Sequence, residues 1–296
     1  MKKFFYFFFI SLIISFLFLG NIKNIFHKIN KIYLVERFNL CTGSIKNSIK
    51  KPTDIFVAGH SYGHPSDNNL GTYPKFLEYL EQNKIYNKLI ILAGDIIKDS
   101  NNSSFILVKK EMNKFFEKTI VAPGNHDVGL GKKTPERKIF NKNFVSTYQF
   151  SIINNNLFII LDTPFDTGRI SDDQLNFVKD LKKIDKNFYN IFVITHHVIW
   201  QNNVNKKLQS SVKSNFFDDG NFIELKTLVE NISYSDNIYF IAGDASVTNK
   251  TTKLYCEKNG NFYYLLTGMG NRIYDNFLRI LFKNDGKEVI IEPIFF

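Results

Sequence analysis

The stretch "TIVAPGNHDVG", Thr119 to Gly129, runs from a β-branched apolar tract straight into Gly124-Asn125-His126-Asp127. A short apolar run closed by Pro and Gly reads as a buried strand that ends in a turn. The turn sets an amide oxygen, an imidazole and a carboxylate side by side. Whether these are scaffolding or part of a reaction centre depends on what the other strand ends carry.

Five further runs share the pattern: "DIFVA" (54–58), "KLIILAG" (88–94), "NLFIILD" (156–162), "NIFVIT" (190–195) and "NIYFIAG" (237–243). They are short and apolar at adjacent positions, as strands covered on both faces are. Amphipathic segments lie between them. Residues 74–83 begin with Pro74 at a first helical position. Residues 171–184 open with Ser171 and Gln174 in capping-box spacing, and 104–117 and 221–232 read as helices too. From 252 onward no helix is expected, and "KNGN" and "NDGK" mark hairpins between apolar runs. The polar stretch 201–220 reads as a long loop, of the kind that often serves as a lid.

In an open α/β sheet, ligands bind where the strands end. The strand ends here read "AGHSYGH", "AGDIIKD", "PGNHDVG", "THHVIW" and "AGDASV". Of the six histidines, His60, His64, His126, His196 and His197 fall in these segments and only His27 falls outside. Asp95, Asn125, Asp127 and Asp244 join them. Imidazoles, carboxylates and an amide oxygen on successive strand ends suit one or two divalent cations such as Mn, Fe or Zn. Two such ions can clamp a phosphate and acidify a bridging water, while a nearby His serves the leaving oxygen as general acid.

Gly94-Asp95, "GNHD" at 124–127 and "THH" at 195–197, in that order on strand ends, resemble the calcineurin-like metallophosphoesterase superfamily. The resemblance spans about residues 54–270. It implies a four-layer α/β/β/α sandwich over residues 52–296 and hydrolysis of a phosphomonoester or phosphodiester. It further implies Asp95, Asn125 and His196 as metal ligands and His126 as general acid, oriented by Asp127. Two motifs depart from the pattern. The usual Asp-x-His is Ala58-Gly59-His60, and the usual Gly-His-x-His is Gly243-Asp244-Ala245-Ser246. One metal would keep Asp95, Asn125, His196 and Asp244; the other would keep only His60 and the shared Asp95, unless His64, Asp99 or Ser246 moves in. The similarity therefore leaves a second reading open, a catalytically impaired metal-binding protein with a binding or assembly role at the cell envelope. Tyr62 and Trp200 are expected to pack as aromatics, with a place beside the substrate as the alternative, and "TGMGN" (267–271) to be a plain glycine turn, with backbone amides held near the site as the alternative.

The formal charge of +10 does not make a nucleic-acid footprint. Residues 1–51 hold nine basic residues and one acid, Glu36, which leaves +2 for residues 52–296. A nucleic-acid partner is therefore disfavoured, and a phosphorylated small molecule, lipid or sugar is the expected substrate. Lys2 and Lys3 precede sixteen uncharged residues, Phe4 to Leu19. Residues 1–20 read as a membrane anchor, with a cleaved signal peptide as the rival. Residues 21–51 read as a basic juxtamembrane linker, and the flanking charges do not fix the side of the membrane. The two cysteines, Cys41 and Cys256, suggest no disulfide framework.

Overall fold

The computed structural model describes residues 2–42, 53–86, 88–165, 169–204, 208, 221–248 and 250–296, and side chains from residue 22 onward. The first sheet orders its strands β11-β10-β1-β2-β3: β1 (Thr53–Ala58), β2 (Lys88–Ala93) and β3 (Phe116–Ala122), flanked by β10 (Asn276–Lys283) and β11 (Glu288–Phe295). β1, β2 and β3 run parallel, whereas β10 is antiparallel to both of its neighbours. The second sheet orders β4 (Gln149–Ile153), β5 (Asn156–Ile160), β6 (Asn190–Thr195), β7 (Asn237–Ala242), β9 (Phe262–Leu266) and β8 (Tyr255–Asn259). Its four central strands are parallel and its two edges antiparallel.

Every apolar run expected as a strand is one, because each is buried on both faces. One face of β1, β2 and β3 meets Phe158, Ile160, Phe192 and Ile194 of the second sheet in the central core. Outside the first sheet lie α2 (Pro74–Gln82), α3 (Asn102–Met112), the single turn α4 (Asn125–Val128) and α5 (Pro135–Asn143). Phe76, Leu80, Phe105, Val108 and Phe140 seal that face. Outside the second sheet lie α6 (Asp172–Asp180) and α7 (Phe222–Glu230), held by Leu175, Val178, Leu225 and Val229. The arrangement is thus helices, sheet, sheet, helices.

Several expectations need correction. The helix expected over 104–117 stops at Met112, and β3 takes over from Phe116. β4 escaped the sequence reading because its residues alternate between half-buried and exposed positions at a sheet edge. The tail does form hairpins, yet its two hairpins join different sheets, and β9 pairs parallel to β7. Most of the expected lid, 201–220, lies outside the described residues.

The largest departure lies at the N-terminus. α1 is one helix from Lys2 to Thr42, so residues 22–42 of the expected linker are helical. Leu34, Phe38 and Cys41 enter the central core from its open side. There α1 packs on β11 and β8, one edge strand of each sheet. Cys41 and Cys256, which suggested no disulfide framework in the sequence, form a disulfide between α1 and β8. Spacing could not reveal this pairing, since 215 residues separate the two. Among the described residues no helix is long and apolar enough to cross a membrane. The expected anchor, residues 1–20, lies outside the residues whose side chains are described.

Candidate metal centre

Three loops converge where β1, β2 and β6 end. After β1 the chain turns at Gly59, whose Cβ, if it had one, would overlap the Gly243 carbonyl beyond β7. The first and last strand-end loops therefore meet through bare backbone. Gly94, with φ of +81°, leads to Asp95; a side chain at Gly94 would overlap the His196 ring. His60 and Asp95 themselves hold left-handed backbone, with φ of +53° each. Non-glycine residues adopt that region at a cost, and such strain gathers at functional sites. The His60 amide donates to Gly94 O at 2.9 Å and so ties the two turns together.

The side chains meet at one carboxylate. Asp95 Oδ2 lies 3.3 Å from His196 Nε2 and 3.6 Å from His60 Nε2, with all three groups buried. Asp95 Oδ1 accepts from the His126 amide at 3.0 Å. His196 Nδ1 faces Ala93 O at 3.1 Å, which leaves Nε2 toward Asp95. Burial alone would lower the His196 pKa, but Asp95 and then Asp244 outweigh it and raise it to about 9. Asp95 is correspondingly held below the usual carboxylate range: burial opposes this, and His196, His126 and His60 prevail. For His60, burial wins over Asp95 and pushes the imidazole down to about 4, so His60 is neutral.

His126 borders this cluster. Its Nδ1 lies 2.7 Å from Lys98 O, so Nδ1–H donates to the carbonyl and Nε2 faces the Tyr62 hydroxyl at 3.5 Å. The ring partner is therefore Lys98 and not Asp127, as the family resemblance had implied. Asp127 instead accepts backbone N–H bonds from Ile96, Ile97 and Gly124, at 2.9, 3.2 and 2.7 Å. It fixes the loops that carry Asp95 and His126. Burial and then the Asp95 charge push the Asp127 pKa up to about 7.

Two neighbours of the cluster were named from sequence, but with packing or loop roles as their expected reading. His197 Nε2 lies 3.1 Å from Asn125 Oδ1, and the His197 amide donates to Thr163 Oγ1. Its place as the second half of "HH" was the only available signal. The Tyr62 ring lies tilted 4.3 Å from His60 and 5.2 Å from His126, centroid to centroid, and it sits two residues after a ligand candidate. Asp244 is buried and close enough to act electrostatically on His196.

The candidates for replacing lost ligands do not do so. His64 Nδ1 is bonded to Ser66 on the outer loop, Asp99 is exposed, and Ser246 Oγ donates to Tyr274 O at 2.9 Å. Trp200 is core, packed on Tyr255 and Tyr264. The Met269 and Gly270 amides bond to Gly59 O and Asp275, so "TGMGN" is a structural turn.

Among the described residues no three His, Cys, Asp or Glu side chains form a ready-made metal cage. The donor chemistry nevertheless fits a divalent ion. Ligands that share one ion at about 2.1 Å stand about 3 Å apart, close to the separations of His196 and His60 from Asp95 Oδ2. Buried imidazoles aimed at one carboxylate oxygen suit Zn, Mn or Fe. The family model described as calcineurin-like phosphoesterase matches residues 53–216, which include His60, Asp95, Asn125, His126 and His196 but not Asp244. Among curated proteins none matches the chain.

Proposed function

The chain belongs to the calcineurin-like phosphoesterase family, and on that premise we propose that it is a metal-dependent phosphoester hydrolase with one principal ion site. The observation that carries this reading is the meeting of His60 and His196 at the single oxygen Asp95 Oδ2. His60, Asp95 and His196 would hold the ion, with Asn125 and Asp244 beside them. A divalent ion there supplies Lewis acidity to a phosphoryl oxygen and lowers the pKa of a bound water.

The protein's own groups account for the remaining chemistry. Lys98 O holds the His126 ring with Nε2 toward the site, where the ring, once it carries a second proton on Nε2, can protonate the leaving oxygen. His197 fixes the Asn125 side chain, as the outer partners of metal ligands do. Ala58 offers no carboxylate, and Ser246 is turned to Tyr274, so a second ion would keep few protein ligands.

The substrate is a phosphomonoester or phosphodiester of a small molecule, lipid or sugar, and residues 1–20 anchor the chain in a membrane. The Cys41–Cys256 disulfide supports placing the folded domain on the oxidising side. Hydrolysis of a panel of phosphate mono- and diesters tests the activity. Turnover should disappear on chelation and return with Mn, Fe or Zn. Metal uptake with no turnover on any ester would favour the binding-protein reading.

A further inference from the structure

α1 carries two apolar faces, and the body uses only one. On the docked side His27 bonds Tyr274, Lys31 lies over the Phe295 ring, and Leu34 and Phe38 enter the core. On the opposite side Ile22, Ile25, Phe26, Ile29, Ile32 and Tyr33 are between 37% and 62% exposed. At 3.6 residues per turn these six positions form one stripe pointing away from the body. A soluble surface seldom lines up so many large apolar side chains without a partner.

The spacing identifies the partner. Ile22, Ile25, Ile29 and Ile32 recur at alternating intervals of three and four, the a and d positions of a heptad, with Phe26 and Tyr33 alongside. No charged residue interrupts the stripe between Ile22 and Tyr33; Lys28 and Arg37 flank it, and Glu36, at the next a position, ends it. Such a seam is self-complementary, and isoleucine at both a and d suits bundles of more than two strands. The body sits on the far side of α1. The stripe would bury roughly 600 Å² per helix, or about 1,200 Å² for a pair, the lower end of specific interfaces.

Lipid is the competing occupant, and the continuity of α1 argues against it. The helix is unbroken from Lys2 to Thr42. A hydrocarbon core of about 30 Å takes about 20 helical residues. With Phe4 to Leu19 in the bilayer, an unbroken helix carries Ile25 to Tyr33 beyond the acyl chains. It cannot also lie flat on the membrane surface.

We propose that α1 is an oligomerisation helix, along which copies of this chain pack in parallel through Ile22 to Tyr33. The parallel direction and the exclusion of lipid rest on the anchoring proposed above; the apolar stripe does not.

Site-directed crosslinking of the full chain in native membranes tests this. Ile29→Cys lies on the seam and Lys28→Cys beside it. On mild oxidation I29C should give a disulfide-linked dimer on a non-reducing gel, and K28C a monomer. Adding Ile25→Glu and Ile32→Glu to I29C should cut the dimer yield at least about tenfold. Both positions are exposed in the monomer, and retention of the Cys41–Cys256 disulfide shows that the fold is kept. Equal crosslinking of I29C and K28C, or a monomeric I29C, overturns the proposal. Alkaline carbonate extraction reads the anchoring separately. A chain released from membranes that still crosslinks at position 29 upholds the pairing and refutes only the anchor.

Discussion

At the scale of single residues, the site is organised by protonation as much as by position. In the ion-free protein His196 holds a proton up to about pH 9 because Asp95 lies beside it. The sign follows from that raised value. The pair's contribution to stability is fully present below the ordinary histidine pKa of about 6.5 and is lost as pH rises through about 9. A divalent ion bound as proposed would take the place of that proton, so metal affinity should rise with pH up to about 9, with close to one proton released per ion. Calorimetric titration in two buffers of different ionisation enthalpy counts the protons; no release would place the ion elsewhere. Gly94 is the second sensitive position. Gly94→Ala combines positive φ with overlap on the His196 ring, and should cost about 2–3 kcal/mol or more, read as a lowered denaturation midpoint. An unchanged midpoint would mean that His196 can move away freely.

At the scale of elements, α1 packs along one edge strand of each sheet, β8 and β11. Its disulfide constrains a loop of 215 residues. The double variant Cys41→Ser, Cys256→Ser should therefore lose about 2–5 kcal/mol of unfolding free energy while keeping the metal site, which lies on other elements. Metal uptake lost together with the bridge would show that α1 supports the centre directly. The elements also show what a sequence conceals. The central strands were legible because burial on both faces leaves an unbroken apolar run. β4 was not, because an edge strand with half-exposed residues has no such signature. α1 was missed beyond residue 20 because its lysines sit among apolar residues on two faces, so no single stripe marks it. Disulfide partners this far apart come together only through the tertiary fold.

At the scale of the whole molecule, the two-sheet sandwich brings five separate strand ends to one edge, and that convergence makes the site. The order of "GD", "GNHD" and "THH" announced it, since each motif follows a buried strand and must emerge on the same side. Sequence could not show which donors share an atom. His60 and His196, expected on different ions, face the same Asp95 oxygen, while Oδ1 is taken by the His126 amide. Nor could it show that Lys98 O, not Asp127, holds the His126 ring, because a backbone carbonyl leaves no trace in residue type. The central claim is that one ion sits at Asp95 and that His126 acts beside it without holding it. Metal content by mass spectrometry, taken on the same preparations as phosphoester turnover, separates these roles. The wild-type chain should carry close to one ion, and His196→Ala should lose it. In His126→Ala the ion should be kept while turnover falls by roughly 10²–10⁴-fold. An ion retained by His196→Ala, or undiminished turnover in His126→Ala, would contradict it.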